Sequence, residues 1–153
     1  FSADQQSLTK LRETVDLRVA DMLFLALDAA ASRTARPYLG TSLPLYATSQ
    51  VNAGTASAEL NDIRFVDMPW LLQPDHAAVM IYPRAQLESA DLERLYALGI
   101  DAFRLSATLI RNSPDPALDG VTGNIRLEKQ QFVRELTPAQ FVAGKPVVKQ
   151  PRR

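Results

Sequence analysis

The chain has 153 residues, of which 46% are hydrophobic and 22% charged, the composition of one ordinary globular domain with enough apolar material for a core. Lys plus Arg and Asp plus Glu both number 17, so there is no net field to draw nucleic acid or anionic lipid. The absence of cysteine excludes disulfides and thiolate metal sites, and no apolar run approaches the ~18 residues of a membrane-spanning helix.

The first residue is Phe1 rather than methionine, and neither a basic nor an apolar leader follows it. The chain is therefore expected to be a piece of a longer precursor, and its lack of a targeting signal carries no information. Residues 4–16 place Leu8, Leu11 and Val15 at i, i+3 and i+7, with Lys10, Arg12 and Glu13 between them, which predicts a helix. Residues 22–27, MLFLAL, form a continuous apolar run between Asp21 and Asp28 and read as a strand buried on both faces. Asp28 stands at the N-cap of an alanine-rich helix, AAASRTAR, which Pro37 and Gly40 end. Strands follow at residues 43–48 and 63–67, the second stopped by Pro69. Strand, helix, strand, loop, strand is the alternation of a parallel sheet with flanking helices, so this half is expected to be α/β.

Residues 89–111 keep Leu92, Leu95, Tyr96, Gly99, Ala102, Phe103 and Ile110 at helical spacing and predict the longest helix. Gly99 costs such a helix about 1 kcal/mol relative to alanine, so it is expected where another element packs very close. After the break NSPDP, the runs NIRLE and QFVREL flank Lys129 and Gln130 and predict a β-hairpin, although its turn lacks the favoured Asn-Gly or Asp-Gly pair. A domain over residues 1–145 would leave 146–153 as a basic, disordered tail.

Chemistry is sparse. His76, the one histidine, lies in QPDHAA with no second histidine to form a metal site or a His pair, and reads as a loop residue. The chain has no Gly-x-Ser-x-Gly, Walker or Gly-x-Gly-x-x-Gly motif, and GVTG at residues 120–123 is too short to cradle a phosphate. Its glycines instead supply permissive φ angles at the entry to the hairpin. Asp21 and Asp28 bracket one strand and Asp62 and Asp67 another, which puts each pair at opposite ends of the sheet, too far apart for a catalytic pair.

Asp28 and Asp67 can share the carboxyl edge of the sheet. With Thr48 and Ser49, which end the strand LPLYAT, and with Trp70, they form a polar rim beside an aromatic, a candidate ligand site where open α/β sheets bind ligands. A purely structural reading fits the same residues: Asp28 caps a helix, Thr48 and Ser49 start a turn, and Trp70 packs in the core. No catalytic residue, metal ligand or cofactor is predicted.

Four stretches resemble, in order, the C-terminal domain of the LppC/LpoA family of Gram-negative lipoproteins: LPLYATSQVNAG, DIRFVDMPWLL, RLYALGIDAFRL and LDGVTGNIRLEKQQFVRELTPAQFVAG. The resemblance runs over residues 21–144, and its most specific parts are YATS, the D-x-P-W at residues 67–70 and ALGIDA at residues 97–102. It implies a fold like that of type I periplasmic solute-binding proteins, two α/β lobes around a cleft, closed by a C-terminal hairpin. It also implies a non-enzymatic outer-membrane lipoprotein, acting from the periplasmic face and held to the membrane by a lipid anchor outside this chain. Such a protein stimulates a class A penicillin-binding protein in peptidoglycan synthesis by protein contact. The alternative is a periplasmic solute-binding module holding an amino-acid-like or cell-wall-derived ligand at Asp28, Thr48, Ser49, Asp67 and Trp70.

A hydrolase of cell-wall fragments is set aside because nucleophile, base and metal constellations are missing. The family's domain is about twice as long as this chain. Unpaired strand edges are therefore expected to make the fragment self-associate, by edge pairing or by swapping residues 89–136, unless the absent portion stays bound to it after cleavage.

Overall fold

The computed structural model describes residues 10, 20–84, 87–111 and 116–149. The first predicted helix, residues 4–16, lies outside them apart from Lys10. The chain divides into two compact units, one made of the residues up to Val66 with Ala139–Lys149, the other of Asp67–Pro138.

The first unit carries the parallel sheet. Strands β1 (Leu23–Leu25), β2 (Leu45–Ala47) and β3 (Arg64–Asp67) are parallel, with Leu25 opposite Ala47 and Ala47 opposite Phe65. Helix α1 (Ala29–Ala35) crosses between β1 and β2; the Asp28 carboxylate caps it by accepting from the Ala31 N–H at 2.7 Å, and Ala29, Ser32 and Ala35 face inward. Burial of MLFLAL on both faces is corrected: among the described residues β1 stands at the edge of the sheet, and it buries Leu25 while Met22 and Phe24 are exposed.

Two late strands complete this sheet, in the order β1-β2-β3-β7-β8, with β7 at Thr137–Val142 and β8 at Lys145–Val148. The Asp62 N–H donates to the Phe141 carbonyl at 3.0 Å and the Phe141 N–H to the Ile63 carbonyl at 3.0 Å, while Asp62 has φ +69°. That is the pattern of a G1 bulge in an antiparallel pair. It brings the Phe65 and Phe141 rings together, stacked with centroids 5.0 Å apart in a core that also holds Val51, Leu60 and Ile63. The expected tail is corrected at its start: residues 146–148 lie in β8, which pairs antiparallel with β7 through a tight turn at Ala143 and Gly144, both at positive φ, while residues 150–153 lie outside the described residues. The Gly144 N–H donates to Asn61 Oδ1 at 2.7 Å and its carbonyl accepts from the Ser57 N–H at 2.8 Å, so the turn is fastened at both ends.

The second unit contains α2 (Pro69–Leu72), α3 (Ala77–Met80), the long α4 (Ala90–Ile110) and an antiparallel sheet of β4 (Leu118–Gly120), β5 (Gly123–Glu128) and β6 (Gln131–Glu135). Its core is Trp70, Ala78, Val79, Ala97 and Val121, with Met68, Leu71, Tyr82, Tyr96 and Ile100 packed around them. The hairpin forms where it is expected. Glu128 pairs with Gln131, and Lys129 and Gln130 both take positive φ, the geometry of a type I′ turn without its usual residues.

Ser89 caps α4 by accepting from the Leu92 N–H, and Asp91 and Glu93 occupy the first turn. The expectation for Gly99 fails: it is exposed, and beyond its own helix backbone and chain neighbours no atom lies within 4 Å of where its Cβ would stand. The helix turns Ala97 and Asp101 to the core, and two residues on from either one the side chain points roughly 200° away. Among the described residues no helix is long and apolar enough to cross a membrane.

Candidate functional site

The strand LPLYAT ends in hydroxyls because the backbone turns there. Thr48 leaves β2 in extended conformation and its carbonyl accepts from the Val51 N–H at 3.2 Å, opening a single 3-10 turn over Ser49–Val51. Thr48 makes no side-chain cap, and both Thr48 and Ser49 are half-buried. The buried Asn52 then closes the loop by accepting from the Gly54 N–H at 3.2 Å. Asp28 follows β1, and since β1 and β2 are parallel neighbours, Asp28 and Thr48 stand at the same carboxyl edge. Asp28 is exposed, with one carboxylate oxygen committed to its helix cap.

The other two candidates are interior residues of the second unit. Asp67, the last residue of β3, is 1% exposed. It accepts from Arg94 at both oxygens, Nε to Oδ1 at 3.2 Å and Nη2 to Oδ2 at 2.8 Å, and from the Met68 N–H at 2.8 Å. Burial disfavours the Arg94 charge, but the bonds and charges of Asp67 and of Asp91, 2.8 Å away on Nη1, outweigh it and raise the guanidinium above its ordinary value. This is a fork-to-fork pair of the kind that fixes geometry.

Trp70 is fully buried. Its Nε1–H donates to Glu93 Oε2 at 2.6 Å, the Arg84 guanidinium lies 4.2 Å above its ring, and Tyr96 meets it edge-on at 5.5 Å. Glu93 also accepts from the Leu87 N–H at 3.2 Å. Neither Asp67 nor Trp70 presents the open polar edge or aromatic face that a ligand rim needs. Each is a binding partner for α4 instead.

Sequence reasoning missed the most buried carboxylate outside this set. Asp101 accepts from the N–H groups of Val121 (3.1 Å) and Thr122 (2.8 Å) and from the Thr122 hydroxyl (2.7 Å), with Arg104 at 3.3 Å. The signal was present, since Asp101 stands one helical turn beyond Ala97 on the inward face and GVTG supplies a tight turn opposite it. The turn can approach because a Cβ on Gly120 would collide with that carboxylate, and one on Gly123 with the Glu135 carbonyl. GVTG thus cradles an anion after all, one supplied by the chain itself.

His76 caps α3, its Nδ1 accepting from the Ala78 N–H at 3.3 Å, and its Nε2 lies 3.5 Å from Asp119. A shallow, open depression of about 370 Å³ on the three-stranded sheet is lined by Leu118, Asp119, Asn124, Arg126 and Glu135, none of them a predicted site residue. Its cation is held within the sheet: Arg126 pairs with Glu128 at 2.6 Å and Glu135 at 3.5 Å. Among the described residues no three His, Cys, Asp or Glu side chains cluster as metal ligands would.

Residues 6–144 match the family model described as "LppC putative lipoprotein". The penicillin-binding protein activator LpoA of Aliivibrio fischeri is 34% identical over 95 residues, 59% of this chain and 16% of that protein. LpoA of Vibrio antiquarius is 26% identical over 153 residues, 90% of this chain and 25% of that protein. The chain therefore spans a quarter or less of the curated relatives it matches.

Two solved structures give the fold. One, from Chromobacterium violaceum, is described as a "putative branched-chain amino acid ABC transporter". It superposes with TM-score 0.75 at 40% identity, over 90% of this chain and 47% of that one. The other is the LpoA C-domain of Haemophilus influenzae, described as a regulator of PBP1A, with TM-score 0.72 at 22% identity over 95% and 49%. The α/β architecture read from the strand and helix alternation is thus shared with both. A family match over residues 6–144, nearly the whole chain, means that the chain belongs to the LppC family of Gram-negative envelope lipoproteins.

Proposed function

We propose that this chain is part of a non-enzymatic activator that stimulates a class A penicillin-binding protein by direct contact, from the periplasmic face of the outer membrane. The family match over residues 6–144, with relatives named as penicillin-binding protein activators, carries the reading. The fate of the carboxylates supports it: Asp67, Asp101 and Glu93 are spent on Arg94, on the GVTG turn and on Trp70. Groups saturated in this way hold elements together and are not poised to move protons.

The effect on the synthase is a coupling free energy of about 1 to 3 kcal/mol, the usual range for an effector. The test mixes the parent protein that carries this chain with its class A synthase and measures binding and cross-linking rate together. Binding with a several-fold faster rate is expected; no binding and no acceleration would reject the proposal.

A second reading is favoured by the 40% identity to the Chromobacterium violaceum protein. A solute-binding module would use Asp28, Thr48 and Ser49 at the carboxyl edge of the first unit's parallel sheet. A ligand at 100 times its dissociation constant would add about 2.7 kcal/mol of stability. Branched-chain amino acids and cell-wall peptides that leave the melting temperature of the parent protein unmoved would remove this reading.

A further inference from the structure

Helix α4 carries an uncovered seam with the spacing of a coiled coil. Leu92, Leu95, Gly99, Ala102, Ser106 and Leu109 alternate by three and four residues along its length, and all six are exposed. A strict 3.5-residue repeat keeps one stripe against a partner helix. Phe103 (77% exposed) and Leu98 flank the seam. We propose that the occupant of this face is the same face of a second copy of the chain, packed antiparallel about a two-fold axis between Ile100 and Asp101.

The argument is self-complementarity. Turned end for end about that point, the seam sets Leu92 opposite Leu109, Leu95 opposite Ser106 and Gly99 opposite Ala102. Leucines meet at the ends, a large residue meets a small one in the next layer, and small residues meet at the centre, where helix axes can approach to the ~8 Å limit. Leu98 and Phe103 fall opposite each other on either side of that centre. An isologous contact demands this kind of palindrome.

Charge raises no objection, because none of the seam residues is charged and Arg94, Asp101 and Arg104 are engaged with inward partners. The area is adequate as well. At ~180 Å² for a large side chain, the exposed fractions of Leu92, Leu95, Leu98, Phe103 and Leu109 give roughly 480 Å² of apolar surface. With the small central residues the two copies together present roughly 1,000 Å², the size that a specific interface has to clear. This inference stands apart from the proposed function, since it concerns a face that reading does not use.

The chain contains no cysteine, which makes the register directly testable. A mixture of Leu92→Cys and Leu109→Cys chains should form an intermolecular disulfide under mild oxidation, whereas neither variant alone should. In the antiparallel pair, two copies of residue 92 stand ~25 Å apart, beyond any disulfide. Light scattering on the unmodified chain should give a mass rising with concentration toward twice 16.9 kDa. Leu95→Glu, an exposed substitution checked for folding by circular dichroism, should hold it at one.

A chain that stays monomeric into the millimolar range would overturn the proposal, and so would a parent protein that stays monomeric because polypeptide from the other half of the matched domain covers the seam. Self-linking of Leu92→Cys would overturn the antiparallel register. Association that survives Leu95→Glu would point to strand-edge pairing or segment exchange, and would overturn the seam as its cause.

Discussion

Asp101 is 1% exposed, and it tolerates burial because three donors from one turn converge on its carboxylate. An amide in its place has one acceptor oxygen and would turn an NH₂ toward a backbone N–H, leaving a buried donor unsatisfied. Asp101→Asn should therefore destabilise the protein by about 3 kcal/mol. Urea titration would show this as a lower midpoint with an unchanged slope; an unchanged midpoint would mean that the turn holds α4 without the carboxylate. Glu59 tests the same physics at the surface. Its own backbone N–H and then the Ser57 hydroxyl, 2.8 Å from Oε2, hold its pKa below the ordinary carboxylate value. The stabilisation this represents is present above the unfolded-state pKa and is lost as pH falls through the lower folded-state value. Ser57→Ala should move the Glu59 titration, followed by NMR, back up toward the ordinary value. A curve that does not move would assign the whole shift to the backbone.

Elements obey the same accounting where their backbone is unusual. Lys129 and Gln130 sit at φ +45° and +67°, and a left-handed conformation costs a non-glycine residue about 1 kcal/mol or more. Lys129→Asn with Gln130→Gly should stabilise the hairpin by about 1 kcal/mol while keeping Glu128 opposite Gln131; a fall in melting temperature would contradict the type I′ assignment. Gly99→Ala should likewise raise stability by about 1 kcal/mol in dilute solution, because nothing stands where the methyl would go. The elements that local pattern could reveal were legible. Ser89 and the apolar spacing bounded α4, and the three parallel strands stood in place, each longer in the pattern than in the ladder that pairs it. What escaped was long-range. Strand β7 carries Pro138, which argues against a strand, and β8 looked like tail; both exist because Phe141 pairs across some eighty residues with Asp62 and Ile63. The inward facing of Asp67 and Trp70 escaped for the same reason. Residue type and strand position singled out Asp67 and Trp70, but their partners Arg94 and Glu93 lie on a helix whose facing could not be read from the strand.

At the scale of the whole chain, the two units differ in how the sequence builds them. The first is discontinuous, since the sheet needs β7 and β8 from beyond position 138, whereas the described residues of the second all lie within Asp67–Pro138. Every fastening described for that stretch is internal to it: Asp67 with Arg94, Trp70 with Glu93 and Arg84, Asp101 with Thr122. Its core of Trp70, Ala78, Val79, Ala97 and Val121 draws on no residue outside it. A unit of roughly seventy residues buries a smaller share of its surface than a larger domain and is marginal, so such polar anchors matter more to it. We expect the excised stretch Asp67–Pro138 to fold by itself with low stability. Trp70 is the chain's one tryptophan, so its emission reports this unit alone. In buffer the excised stretch should emit at the blue wavelengths of a buried indole. It should shift red in a single urea transition with a slope near the ~1 kcal/mol/M of a small domain. Asp101→Asn should abolish the blue emission outright, since a cost of about 3 kcal/mol is all that a unit of this size has to lose. Emission of a solvent-exposed tryptophan from the unsubstituted stretch in buffer would show that this core depends on the remainder of the chain.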